Sequence, residues 1–147
     1  MLSNDILNAL KTYTQNMTNK VALVLQTGEH AKRAELVEFL RQLCSVSDNL
    51  SLIERDDNLR SPITFYLEVT TEGTAKNNGI HFSGIPSGHE FNSLILAILH
   101  SSGTEHKLDN TLSNMVKKIK EPLHFEVFIS LSCHNCPDVV QSLNQFA

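Results

Sequence analysis

The chain has 147 residues, 41% hydrophobic and 19% charged, which fits one ordinary globular domain or two small ones and excludes a disordered or fibrous polymer. Twelve Lys and Arg against 16 Asp and Glu leave a net charge of −4 with no basic run, which argues against a general nucleic-acid binder. The longest apolar run, Leu94 to Leu99, falls far short of the roughly 20 residues of a membrane span. Met1 to Asp5 lack the basic-then-apolar order of a signal peptide, so a cytoplasmic setting is the expectation.

Leu2, Ile6, Leu7, Leu10, Tyr13 and Met17 recur at helical spacing, with Ser3, Asn4 or Asp5 as N-cap. Val21 to Leu25 is a continuous apolar run of strand length, as in a strand covered on both faces. Leu36, Val37, Leu40, Leu43 and Cys44 share one helical stripe, closed by the polar Ser47-Asp48-Asn49 turn. Leu50 to Ile53 then reads as a short strand, giving a β-α-β unit whose crossover favours a parallel pair. A polar loop from Arg55 ends at Pro62, and its paired acids Asp56 and Asp57 read as solvated. Ile63, Phe65, Leu67 and Val69 alternate with polar residues at strand period. Gly73, Asn77, Asn78 and Gly79 mark a turn, and Ile80-His81-Phe82 returns antiparallel. Gly84 to Phe91 leads into a strongly apolar helix through Leu99, with Gly103 as its C-terminal cap. Ser87 and Glu90 have the spacing of a capping box. Leu108, Leu112, Met115, Val116 and Ile119 give one more amphipathic helix, stopped by Pro122.

The pattern then restarts. Leu123 to Ser130 reads as a strand with Phe125, Val127 and Ile129 on one face, and Val139, Val140, Leu143 and Phe146 as a helical stripe. That stripe repeats Leu36, Val37, Leu40 and Leu43 at a constant offset of 103 residues, which suggests an internal repeat. In it, His30 and Arg33 take the places of Cys133 and Cys136, so the first unit is a redox-dead copy. The half-unit from Pro122 onward is too small to fold alone. It must lean on the first unit, pair with another chain or belong to a longer protein.

Chemistry concentrates in Ser132-Cys133-His134-Asn135-Cys136-Pro137, set between strand and helix. Residues i and i+3 of a first helical turn lie about 5 to 6 Å apart, the Cα separation a disulfide needs. The free N–H groups and dipole of a helix N-terminus stabilise a thiolate and can lower a thiol pKa from about 8.5 to about 7 or below. A switchable dithiol is the leading reading; a zinc site or an inert cysteine pair are the alternatives. Zinc needs four ligands, and the chain offers one C-x-x-C with scattered His30, His81, His89, His100, His106, His124 and His134. His134 is either a charge beside the thiolate or a solvated turn residue. Cys44 reads as a small core hydrophobe. Glu90 is either a helix cap or a carboxylate that exchanges a proton with a cysteine. Gly84, Pro86 and Gly88 do not fit G-x-G-x-x-G, so no nucleotide site is expected.

Phe128 to Gln141, with its Cys-His-Asn-Cys-Pro-Asp-Val-Val string, resembles the active-site segment of the F component of alkyl hydroperoxide reductase, the flavoprotein partner of a bacterial peroxiredoxin. Phe82 to Phe91 is similar to a second signature of that family's N-terminal domain. The resemblance runs the length of the chain. It implies an α/β, thioredoxin-like fold in tandem, with the second unit truncated here: residues 1–103 as an N-terminal helix plus an inactive unit, 104–122 as a linking helix, and 123–147 as the start of the active unit. It implies Cys133 as attacking thiol, Cys136 as resolving thiol and Glu90 as a nearby acid. It further implies FAD and NADH on a following module of thioredoxin-reductase type, a peroxiredoxin partner and a homodimer in full-length form. Pro62 resembles the cis-proline loop of the fold, in the inactive unit only. The flavin module is missing, so the chain reads as an N-terminal fragment unable to use NADH. Function is then a dithiol–disulfide relay, or alternatively a non-catalytic docking module on the same scaffold.

Overall fold

The computed structural model describes residues 2–105 and 108–147, so Met1, His106 and part of the expected linking helix lie outside the described residues. Helix α1 (Asn4–Thr14) starts on Ser3, whose hydroxyl accepts the Ile6 N–H. It is followed by strand β1 (Lys20–Gln26), helix α2 (Arg33–Cys44) and strand β2 (Leu50–Arg55). Strands β3 (Thr64–Thr71) and β4 (Thr74–Ser83) form a hairpin, and a single 3-10 turn (Gly88–Glu90) runs into α3 (Phe91–Ser101). The four strands lie in the order β2-β1-β3-β4, with β1 and β2 parallel and the other pairs antiparallel. The expected β-α-β, then β-β-α, sequence is what forms.

Period-2 alternation decides which face is buried. Val21, Leu23 and Leu25 of β1 stand opposite Val69, Leu67 and Phe65 of β3. They join Leu36, Leu40 and Leu43 of α2 and Leu94 and Ile98 of α3 in one core, to which α1 adds Leu10. Phe65 and Phe82 stack at 5.5 Å within it. On the other face, Tyr66 donates to Asp57 at 2.7 Å, and Arg55 donates to Tyr66 and Glu68. Asp56 accepts from Gln26 at 2.7 Å. Neither acid is therefore merely solvated: the hydrogen bonds from Tyr66 and then Arg55 hold Asp57 below the usual carboxylate range, and Gln26 does the same for Asp56.

Three readings need correction. The hairpin turns at Glu72 and Gly73, whose φ values of 51° and 81° suit a two-residue turn. Asn77 to Gly79 instead form an irregularity inside β4, where the register steps from Tyr66↔His81 to Glu68↔Asn77. Helix α4 (Asn110–Val116), capped by Asp109, is shorter than the apolar periodicity suggested and excludes Leu108 and Ile119. Residues 122–130 form no strand: their backbone reaches no ladder partner among the described residues, and Phe128 is 82% exposed. Alternation can mark a strand, but only a neighbouring strand makes one.

Gly103 does end α3. It follows the Ser102 C-cap at φ 94°, and Thr104 N–H closes back on the Leu99 carbonyl at 3.1 Å. A Cβ there would stand 2.3 Å from Thr18 Oγ1. The Thr18 and Asn19 amides both bond to the Ser102 carbonyl, so this close approach ties the end of α3 to the entry of β1. No helix among the described residues is long and apolar enough to cross a membrane.

Candidate dithiol site

Helix α5 (Cys136–Phe146) begins 103 residues after α2, the offset of the sequence repeat. Asn135 occupies its N-cap position but makes no side-chain cap bond, and Pro137 sits in the first turn, where a missing N–H costs little. The cap comes from sulfur: Cys136 N–H points at Cys133 Sγ, 3.2 Å away. The two cysteines are joined as a disulfide with Cα atoms 5.5 Å apart, and both residues are half-buried. When the bond is reduced, the same N–H and the positive end of α5 face the Cys133 sulfur. Among the described residues, no group of three or more His, Cys, Asp and Glu side chains is arranged to hold a metal.

The first unit packs against this turn. Helix α5 lies along α3, and Gln141 Nε2 donates to the buried Ser93 Oγ at 3.2 Å. Gly88, at φ 58°, approaches so closely that a Cβ would stand 3.0 Å from the Leu131 carbonyl. Arg60 pairs with Glu126 at 2.6 Å and covers the Phe128 ring. Residues from Glu126 to Gln141 thus rest on α3, the turn before it and Arg60.

Glu90 ends this contact turn. It is 3% exposed, and neither carboxylate oxygen has a hydrogen-bond partner among the described residues. The capping box is not formed: Ser87 makes no side-chain cap bond, and only the backbones meet, Glu90 N–H to Ser87 carbonyl at 3.2 Å. A 3-10 start brings the two residues together by backbone and leaves both side chains out of the cap.

Arg33, in the place matching Cys136, fills the first unit's equivalent position. Its guanidinium donates to the Gln26 and Pro62 carbonyls and pairs with Glu54 at 2.6 Å, tying β1, β2 and the Pro62 loop. Among the described residues no peptide bond is cis, that before Pro62 included, so the likeness to a cis-proline loop fails there. Arg33→Met should cost about 2 to 3 kcal/mol, since it leaves two carbonyls and a carboxylate to find other donors; urea unfolding would read it. A variant as stable as the parent would deny Arg33 this role. Cys44 is free and half-buried, and burial pushes its thiol up to about 12. Its thiolate is therefore scarce at neutral pH, and in the reduced chain it should alkylate at least about tenfold more slowly than Cys133 at pH 7.5. Timed alkylation with mass mapping would check this order.

Comparison with known proteins agrees with this geometry. The F component of alkyl hydroperoxide reductase in Staphylococcus aureus (strain NCTC 8325 / PS 47) is 41% identical over 144 residues, 98% of this chain and 27% of that protein. A Bacillus subtilis (strain 168) protein named "NADH dehydrogenase" is 37% identical over the full 147 residues, 28% of its length. The N-terminal domain crystal structure of alkylhydroperoxide reductase AhpF from Enterococcus faecalis (V583) superposes with a TM-score of 0.84 at 26% identity, over 99% of this chain and 74% of that one. This chain is similar to the N-terminal domain of AhpF, the F component of alkyl hydroperoxide reductase. A protein disulfide oxidoreductase from Aeropyrum pernix K1 shares the fold alone, with a TM-score of 0.76 at 23% identity over 100% of this chain and 68% of its own. The fold is thioredoxin-like. No family model matches the chain. The chain spans about a quarter of the length of the curated relatives it matches.

Sequence reasoning named Cys133, Cys136 and Glu90, and the structure brings the segments bearing them together. It did not single out the contact of His89, counted only among scattered histidines, with the His134 ring.

Proposed function

We propose that the chain is a dithiol–disulfide relay, taking electrons from a flavin- and NADH-binding module and passing them to a peroxiredoxin. The observation that carries this reading is the Cys133–Cys136 pair, its sulfur capping the start of α5. In the reduced form the Cys133 thiolate attacks one sulfur of the partner's disulfide. That S–S bond breaks, a mixed disulfide forms, and the other partner sulfur leaves as a thiolate that takes up a proton. Cys136 gives up its proton, attacks the Cys133 sulfur and restores the internal disulfide as the second partner thiol departs. Two electrons move to the partner. Residues 123–147 serve in this reading as the start of a second, active unit, and a reducing cytoplasm suits a relay of this kind.

This chain's own residues do not fit a flavin or nicotinamide. Its Gly84-to-Gly88 segment lacks the fingerprint spacing, and the space beside Gly88 is closed by the Leu131 carbonyl rather than open to a pyrophosphate. Glu90 is the candidate proton acceptor and donor. Burial without a partner is costly for a carboxylate, and such costs gather at functional sites. Glu90→Gln should slow disulfide exchange at pH 7 by about tenfold or more while leaving the melting temperature unchanged or higher. An unaltered pH–rate profile would remove Glu90 from the site.

The test of the relay itself is electron transfer. Reduced chain mixed with an oxidised peroxiredoxin should yield oxidised chain and free peroxiredoxin thiols. Stable binding with no thiol gained would favour a docking module instead.

A further inference from the structure

The two cysteines sit on two arms that touch the same element of the first unit. Cys133 follows the arm that passes through Leu131, and its N–H donates to the Ser130 carbonyl at 2.9 Å. Cys136 opens the second arm, α5, on which Gln141 lies more than one helical turn further along. The first arm meets Gly88, where a Cβ would stand 3.0 Å from the Leu131 carbonyl, so a side chain there would press on it. The second arm meets Ser93, which is fully buried and accepts the Gln141 Nε2–H at 3.2 Å. Gly88 and Ser93 belong to one continuous piece, the 3-10 turn and the first turn of α3. Leu94 and Ile98 anchor that piece in the core, and the Phe91 ring meets Phe39 edge-on at 6.1 Å. Between the arms the disulfide joins Cα atoms 5.5 Å apart.

We infer that this piece is a clamp that holds the two sulfurs within reach of each other. Gly88 seats the arm carrying Cys133, and Ser93, through Gln141, seats the arm carrying Cys136; all three are positioning residues for the dithiol. Holding two reacting groups in place raises the effective concentration of each for the other. The step this favours is closure. The chain's dithiol meets a substrate disulfide, the Cys133–Cys136 bond forms, the substrate's S–S bond breaks, and its two sulfurs leave as thiols with the two electrons and two protons. First attack by Cys133 needs one sulfur and is nearly indifferent to the clamp. Resolution by Cys136 needs both sulfurs and depends on it. The reducing power of the pair is thereby set in part by a unit that carries no dithiol. The inference rests on the dithiol reading above.

Equilibration of the full 147-residue chain with reduced and oxidised glutathione reads the clamp. Ser93→Ala and Gln141→Leu should each lower the equilibrium constant for closing the internal disulfide by about threefold or more. The double variant should fall no further than the larger single effect, because the same contact is lost in all three. Gly88→Ala, which drives a Cβ toward the Leu131 carbonyl, should act in the same direction. Rapid mixing with oxidised glutathione should show slower resolution of the mixed disulfide, with first attack by Cys133 within about twofold of the parent. Phe65→Ala separates positioning from stability: where it stays folded, it should keep the parent constant. The inference is overturned if Ser93→Ala and Gln141→Leu leave the constant unchanged or raise it, if their effects add, or if Phe65→Ala lowers it as far. Should Gly88→Ala fail to fold, the other two variants decide. A parent chain that passes no electrons to a peroxiredoxin, while the variants still shift the glutathione equilibrium as expected, would sink the relay and uphold the clamp.

Discussion

Cys133→Ser should lower the rate of disulfide reduction by about a thousandfold or more, because a hydroxyl cannot replace the attacking thiolate. Cys136→Ser should behave differently. It leaves the attacking sulfur and the α5 N-terminus intact but removes the group that resolves the mixed disulfide. A covalent adduct with the partner should then accumulate, and reductant should release it. The difference follows from the asymmetry of the turn: Cys133 precedes α5 and receives an N–H from Cys136, whereas Cys136 is already the first residue of the helix. Non-reducing electrophoresis and stopped-flow fluorescence measure the two outcomes. If the adduct forms on Cys133→Ser and not on Cys136→Ser, the attacking and resolving roles are reversed.

Phe65→Ala should be the most damaging substitution in the first unit. Phe65 is 0% exposed, stands opposite Leu25 on β1 and Phe82 on β4, and stacks on the Phe82 ring. Truncation removes apolar contact on both sides and leaves a cavity in the middle of the sheet. The cost should be about 3 to 5 kcal/mol. For a chain of this size that lowers the melting temperature by about 10 °C. Thermal unfolding followed by circular dichroism would show it, and a loss below about 1 kcal/mol would mean that the sheet relaxes to fill the gap. Because α5 rests on α3 rather than on β3, the chemistry of the dithiol should survive at temperatures where the variant stays folded.

What was legible in the sequence tracks how local each signal is. Strand β1, helix α2 and strand β2 were readable because their burial repeats at the period of the element itself, as Leu36, Leu40 and Leu43 illustrate. The cysteine pair was readable because three residues of spacing suffice to state its chemistry. The hairpin turn was misplaced because Asn77 to Gly79 carry the same composition whether they reverse a chain or distort a strand. Residues 122–130 alternate as a strand should, yet pairing depends on a neighbour that no local pattern encodes. Glu90 was ambiguous for a related reason: Ser-x-x-Glu spacing permits a cap, and only the 3-10 start of this helix directs the carboxylate elsewhere. The meeting of His89 with His134 joins positions 45 residues apart in the chain, and nothing along it announces the contact.

Arg33 has a consequence for the relay proposed above. A guanidinium bonded to two backbone carbonyls and a carboxylate can neither donate nor accept electrons, and it stands at the start of α2, the position that the 103-residue offset sets against Cys136. Two redox pairs on one scaffold can exchange with each other and equilibrate, and each then dissipates part of the other's driving force. With a cation locked into the first position, the described residues hold a single exchangeable pair. For the relay proposed above, this leaves the Cys133–Cys136 pair without a competing pair among the described residues.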